Sequence, residues 1–261
     1  IAIQVYLVLN KIMLGNMINV TASGIYDYSD RIIRTILAVV TSVGTVLLPH
    51  LAAAYSKNQL SLINKYFTKA VEAVAFLACP LAFGLAAIAP QFVLWFLGSN
   101  FVSAGPIVRI MTPLIFVLAY SSLFGSTLIS INENWGYNIS VIVGCVVNVG
   151  MNLFMIPWLG IEGAALATIV SETSVFLVQL MWLKHKHLPI SSMGKTWKYL
   201  LVGLMMGIGV FGASSLLSKS FTSILIEVVF GALLYMLGGF IIKFPIFIDG
   251  IELINARRRK N

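Results

Sequence analysis

Apolar runs of roughly 20 residues recur along the whole chain, and they constrain its fold more than any other feature. One helix of about 20 apolar residues crosses the ~30 Å hydrocarbon layer of a bilayer. The chain has 261 residues, of which 59% are hydrophobic and 10% are charged. A soluble domain carries about 25% charged residues. The sequence therefore predicts an all-α polytopic membrane protein.

The positions of these runs predict seven complete transmembrane helices and one partial helix. Residues 1–14 have the pattern of the last part of a helix, without an initiator methionine or a charged leader. We therefore expect a fragment whose N-terminal part is absent. The complete spans are expected at about 22–54, 66–97, 106–131, 136–156, 161–183, 198–217 and 221–243.

Lysine and arginine residues predict the orientation of these spans. Twelve of the 17 basic residues fall in the segments 55–69, 184–198 and 243–261, which share one side if the spans alternate. Basic loops stay in the cytoplasm, so we expect the C-terminus on the cytoplasmic side. The membrane is expected to be the cytoplasmic membrane. The net charge of +8 then requires no nucleic-acid partner.

No arrangement of residues that is typical of catalysis appears in the sequence. Cys79 and Cys145 lie in separate predicted spans, and His50, His185 and His187 lack metal-ligand spacing. There is no glycine-rich phosphate loop and no plausible Ser/His/Asp set. We therefore expect no enzyme activity, no catalytic residues, no metal and no cofactor, which leaves transport, signalling or scaffolding.

Ionisable residues inside membrane spans are the most informative, because they are costly there and usually face protein or a water-filled cavity. The stretch IYDYSDRIIRTIL, residues 25–37, places four charges in i,i+4 pairs on one helical face, with the acid first. Two threonines continue this face deeper into the span. The predicted polar edge consists of Asp27, Asp30, Arg31, Arg34, Thr41 and Thr45. In an alternative interpretation, residues 35–54 alone cross the membrane and DYSDRIIR is a turn at the outer surface.

Other predicted spans carry similar polar positions. Arg109 and Tyr120 fall on one side of the span 106–131, and Asn148 and Asn152 are four residues apart. Glu172 lies near the middle of its span, where a carboxylate needs a partner, water or a proton. We predict that these positions line or support a cavity, although the asparagines could instead hold helices together by hydrogen bonds.

Four motifs resemble the polysaccharide flippases of the multidrug/oligosaccharidyl-lipid/polysaccharide transporter superfamily. In chain order they are NKIMLG (10–15), GIYDYSDRI (24–32), VLLPHLA (46–52) and NLFMIPWLGIEGAALAT (152–168). They are similar to the end of that family's seventh helix, the start and exit of the eighth, and the link between the eleventh and twelfth. Asn10 stands where the family often has aspartate.

The resemblance implies one lobe of a fourteen-helix transporter with two six-helix lobes and two extra C-terminal helices. Residues 1–14 would end a truncated helix, 15–183 would form the second lobe, 184–243 the two additional helices, and 244–261 a basic cytoplasmic tail. The implied partners are membrane lipids, the missing N-terminal half of the protein, a polysaccharide polymerase and glycosyltransferases.

The function implied by the resemblance is flipping of lipid-diphosphate-linked oligosaccharide repeat units for capsule or exopolysaccharide assembly. Arginine suits phosphate through its planar donor fork, so the expected head-group residues are Lys11, Arg31, Arg34 and Arg109. Three alternatives remain open: a multidrug-type cation antiporter, a peptidoglycan-precursor flippase, and a non-transporting membrane subunit of a glycan-assembly complex.

Overall fold

The structure is a computed structural model that describes residues 2–188, 190–217 and 220–248; side chains at 2–7, 43, 45 and 190–192 lie outside that description. The described part is helical, with short connections. The helices are α1 (Ala2–Met17), α2 (Val20–Ser56), α3 (Leu60–Leu97), α4 (Ala104–Met111), α5 (Pro113–Ser130), α6 (Asn134–His185), α7 (Trp197–Ser214) and α8 (Phe221–Ile241). The prediction of an all-α polytopic membrane protein is confirmed.

Helix α3 is the central element of the bundle. It packs against α2, α4, α5, α7 and α8, and its buried face is rich in alanine and other small or medium side chains. The outer faces of α7 and α8 instead expose large apolar residues such as Met205, Ile208 and Leu237. Such surfaces suit contact with lipid, because the hydrocarbon tails shield these apolar side chains from water.

Helix α6 folds back on itself at Gly160. This residue has φ 59° and ψ −129°, a conformation that is open to glycine and strained for other residues. We call residues 134–159 arm α6a and residues 161–185 arm α6b. Asn148 Nδ2 donates to Ser171 Oγ at 3.3 Å, and Gln179 Nε2 donates to Ser140 Oγ at 3.2 Å. These cross-arm pairs show that the two arms run antiparallel.

A polar contact joins the open ends of this helical hairpin. Lys186 Nζ lies 2.5 Å from Glu133 Oε1, and Trp182 Nε1 donates to Glu133 Oε2 at 3.1 Å. The hydrogen bond from Lys186 holds the pKa of Glu133 below its usual range, with Trp182 contributing. The segments before and after α6 therefore lie on the same side of the bundle.

The observed helices correspond to the predicted spans in order. Within the described residues, five helices are long and apolar enough to cross a membrane, or six if α2, which bends by 49° between Ser42 and Val46, counts as one span. The two arms of α6, which Gly160 separates, offer two crossings where the search for spans counts one. The predicted span 106–131 is broken into α4 and α5 at Pro113. The count of seven spans and the division into a lobe and added helices stay predictions.

The predicted orientation can be tested by cysteine labelling in intact cells. Single cysteines at Lys57 and Lys186 are expected to resist a membrane-impermeant maleimide, because both lie in basic segments. A cysteine at Asn132, which is exposed beside Glu133, should behave like Lys186→Cys. A cysteine at Lys219, which lies outside the described residues, should be labelled and is the positive control. External labelling at position 186 would contradict the orientation.

Candidate functional site: a polar cavity between α2, α5 and α6

The charged part of α2 forms two ion pairs within the helix. Arg31 Nε donates to Asp27 Oδ2 at 2.9 Å, and Arg34 Nε donates to Asp30 Oδ2 at 2.8 Å. Lys11 of α1 also forms an ion pair with Asp27. Asp27 thus holds two basic side chains, whereas Asp30 orients Arg34.

These residues lie within the helical part of α2 that begins at Val20. Asn19 caps the start of α2 by accepting a hydrogen bond from the Ala22 amide at 2.8 Å. Arg34 is fourteen residues beyond Val20, about 21 Å along the helix at 1.5 Å per residue. The two arginines differ in environment, because the Arg31 side chain is 70% exposed and that of Arg34 is 32% exposed.

Arg34 lines a cavity of about 320 Å³, which we call the polar cavity. Helices α2 and α5 and both arms of α6 contribute to its wall. Three residues predicted from the sequence meet here: Arg34, Thr41 and Glu172. The other polar residues on its wall are Ser121, Ser122, Ser126, Tyr137 and Gln179. A second cavity of about 470 Å³ adjoins it and shares Thr41, Ser122 and Ser126. Thr45 lies outside the described side chains.

The serine-rich face of α5 was missed in the sequence. The sequence predicts the polar side of this span at the face of Tyr120, yet Tyr120 is fully buried. Its hydroxyl donates to the Val71 carbonyl at 3.1 Å, and its ring contacts Phe116 and Phe124. Ser122 and Ser126, four residues apart, mark the cavity face. That i,i+4 spacing was the available signal, and Tyr120 is corrected to a core residue.

Arg109 is not among the residues that line the polar cavity, and its side chain contacts α3 and α7 instead. Its Nε donates to the Ala86 carbonyl at 2.8 Å, and one terminal nitrogen donates to the Ala87 carbonyl at 3.3 Å. Pro90 has no N–H to donate to the carbonyl four residues earlier, so Ala86 would otherwise lose its partner. The guanidinium also lies 5.7 Å from the Phe211 ring centroid. Arg109 thus satisfies backbone carbonyls of α3 that lie just before Pro90.

Asn148 and Asn152 belong to a buried hydrogen-bond network and not to the wall of the polar cavity. Asn152 Nδ2 donates to Asn148 Oδ1 at 3.0 Å and also to Asn10 of α1. Asn10 Nδ2 in turn donates to Tyr26 at 2.8 Å and to Thr168 at 3.0 Å. Because all five residues are buried, the network ties α1 and α2 to both arms of α6. This arrangement agrees with the alternative that the asparagines hold helices together.

Comparisons with known proteins support the class of transporter suggested by the motifs. Residues 1–106 match a family described as polysaccharide biosynthesis protein. A probable low-salt glycan biosynthesis flippase, Agl15 of Haloferax volcanii, is 23% identical over 230 residues, covering 85% of this chain and 48% of the relative. The lipid II flippase MurJ of Bacillus subtilis is 21% identical over 189 residues, covering 70% of this chain and 35% of the relative.

A solved structure shows the same fold. The lipid II flippase MurJ in an inward closed conformation superposes with a TM-score of 0.77 at 18% identity, covering 92% of this chain and 51% of that one. The chain therefore spans about half the length, or less, of the relatives that it matches. Together these findings confirm its resemblance to the polysaccharide and lipid-linked glycan flippases of the multidrug/oligosaccharidyl-lipid/polysaccharide transporter superfamily.

Proposed function

We propose that this chain forms part of a flippase that moves lipid-diphosphate-linked oligosaccharide repeat units across the cytoplasmic membrane by alternating access. The observation that supports the proposal best is the polar cavity, which brings Arg34 and Glu172 together with several hydroxyl side chains and the amide of Gln179 inside the helical bundle. A purely structural bundle has no need of such a cavity, because polar groups in hydrocarbon are costly.

The chemistry of the cavity matches the proposed substrate. A lipid-diphosphate sugar presents phosphate oxygens and many hydroxyl groups. The planar guanidinium of Arg34 can donate two parallel hydrogen bonds to a phosphate. Ser121, Ser126 and Tyr137 both donate and accept hydrogen bonds, as sugar hydroxyls do. Capsule or exopolysaccharide assembly is the proposed use, in keeping with the polysaccharide biosynthesis family matched by residues 1–106.

The remaining length of the relatives suggests how the cavity would be completed. We infer that residues 15–183 act as the second lobe, residues 184–243 as two additional helices, and a first lobe from the same protein as the opposite wall. Alternating access would then expose the polar cavity to each side in turn. The cytoplasmic position of the C-terminus and the association with a polymerase and glycosyltransferases belong to the same proposal.

A peptidoglycan-precursor flippase is the second candidate, favoured by the similarity to MurJ of Bacillus subtilis. Its substrate is also a lipid-diphosphate sugar, so the same cavity chemistry applies. An organic-cation antiporter fits less well, because the cavity wall combines one base, Arg34, with one acid, Glu172, whereas a site for cations should have an excess of acids.

A reconstituted transport assay tests the proposal and separates these candidates. Proteoliposomes with the full-length protein would receive a labelled lipid-diphosphate oligosaccharide, lipid II or an organic cation. We expect the oligosaccharide lipid to cross faster than in protein-free vesicles. Faster movement of lipid II would support the second candidate. Movement of the cation alone, or of none of the three, would contradict a lipid-linked glycan flippase.

A further inference from the structure

Glu227 of α8 is a buried acid that the proposed transport cavity does not use. It is the seventh residue of α8, which begins at Phe221, and it is 1% exposed. Neither carboxyl oxygen has a hydrogen-bond partner among the described residues. Buried polar groups in proteins are nearly always hydrogen-bonded, so this carboxyl requires an explanation.

The surroundings of Glu227 are almost entirely apolar. It lines a cavity of about 520 Å³ between α2, α3, α7 and α8, together with residues such as Ile36, Phe92, Met206 and Val228. This cavity is distinct from the polar cavity and shares no lining residue with it. A carboxylate here would face hydrocarbon side chains instead of water or a base.

The polar groups near Glu227 are neutral. The Ser214 hydroxyl of α7 lies within hydrogen-bonding reach of the carboxyl. Its single proton is donated to Gln91 Oε1 of α3 at 3.3 Å, so it neutralises no charge on Glu227. From α2, Ile36 and Val39 contribute apolar side chains to the cavity wall. Along α8 itself, the titratable residue on this wall is Tyr235, a phenol.

The neighbouring titratable and basic groups also provide no positive charge to pair with Glu227. Cys79 of α3 and Tyr199 of α7 lie near Tyr235, and both are neutral when protonated. Arg109, which contacts α7 at Phe211, donates to the Ala86 and Ala87 carbonyls of α3. Among the described residues, no cation forms an ion pair with Glu227.

We propose that Glu227 is a proton-binding site, with the carboxyl protonated in the arrangement seen here. An isolated carboxylate in an apolar interior is so costly that the group takes up a proton instead. Loss of that proton would require water to enter the cavity or α8 to move away from α3 and α7. Proton binding at Glu227 therefore favours the docked position of α8.

Infrared difference spectroscopy tests the protonation state without any reagent reaching the site. Spectra of the full-length protein in lipid at neutral pH would be compared with those of Glu227→Gln, which mimics a protonated carboxyl. We expect the difference to contain the C=O band of a protonated carboxyl. Glu162→Gln, which changes an exposed acid, should instead remove the bands of a carboxylate. Carboxylate bands lost in Glu227→Gln would overturn the proposal.

Labelling with dicyclohexylcarbodiimide gives an independent readout. A protonated carboxyl adds across the carbodiimide, its proton passes to nitrogen, and the acyl group then migrates to give a stable N-acylurea. Peptide mass spectrometry should find this adduct at Glu227 and little at Glu162, with labelling that declines as pH rises. If the reagent does not reach the cavity, the infrared measurement alone tests the proposal. Labelling of Glu227 that increases with pH would contradict a protonated carboxyl at this site.

Discussion

Replacing Arg34 by alanine is expected to lower transport of the lipid-diphosphate substrate by about ten- to a hundredfold in the full-length protein. A hydrogen bond to a charged group contributes about 1.5–3 kcal/mol, and each 1.4 kcal/mol corresponds to roughly a factor of ten. Arg34→Lys should recover part of the rate, because the charge remains but the planar donor fork is lost. Initial rates in proteoliposomes, normalised to the protein inserted, measure the effect.

Two matched variants separate substrate binding from stability. Arg31 occupies the same charged segment and is also paired with an aspartate, but it is not among the residues that line the polar cavity. Arg31→Ala should therefore transport at nearly the parental rate. Arg34→Ala leaves Asp30, which is 7% exposed, without its ion-pair partner. The double variant Asp30→Asn/Arg34→Ala removes that uncompensated charge, and it should restore expression without restoring transport. Parental transport by Arg34→Ala would show that Arg34 does not bind substrate.

The contrast between Arg34 and Arg109 shows which part of the site was predictable from the sequence. The ion pairs of α2 follow from i,i+4 spacing within one helix, and both are present. Local spacing also places Thr41 on the same face as Arg34. For Arg109, the deciding feature was Pro90 on another helix, which leaves the Ala86 carbonyl available. No pattern near residue 109 reveals that two helices meet there.

Helix α5 illustrates a different limit. Its residues are apolar or small on nearly every side, so hydrophobic periodicity does not distinguish the core face from the cavity face. The larger polar residue, Tyr120, attracted the functional interpretation, although a tyrosine with one satisfied hydroxyl packs well in a core. Ser122 and Ser126, whose hydroxyls are small, are the residues that line the cavity instead. Tertiary contacts decide between these faces.

The α6 hairpin was predicted as two spans, 136–156 and 161–183, but the sequence pattern does not show what its glycines do. Small residues such as those of GIEGAALAT (160–168) allow close helix approach. Gly160 has an additional role, because its positive φ reverses the chain direction. Gly163 follows three residues later, where arm α6b leaves the turn beside the last residues of α6a. A Cβ at Gly163 would collide with the Met155 carbonyl oxygen.

Gly163→Ala is expected to disrupt folding of the hairpin more than any other single methyl group added to α6. The obstacle is a backbone carbonyl and not the end of a flexible side chain, so relief requires the arms to separate. Overpacking of this kind costs about 1–3 kcal/mol and occasionally more. Separation would also weaken the buried contacts of Asn152 and Thr168 that tie α1 and α2 to this hairpin. We expect lower yield of folded protein and a lower midpoint in a thermal aggregation assay.

Gly150→Ala is the matched control, because it adds the same methyl group within arm α6a. Nothing lies within 4 Å of the position that its Cβ would occupy, and alanine favours helix over glycine by up to about 1 kcal/mol. This variant should fold as well as the parent or slightly better. If both substitutions leave the thermal midpoint unchanged, close approach of the two arms at Gly163 does not limit stability. If both lower it equally, loss of glycine flexibility, and not the collision with Met155, would be the cause.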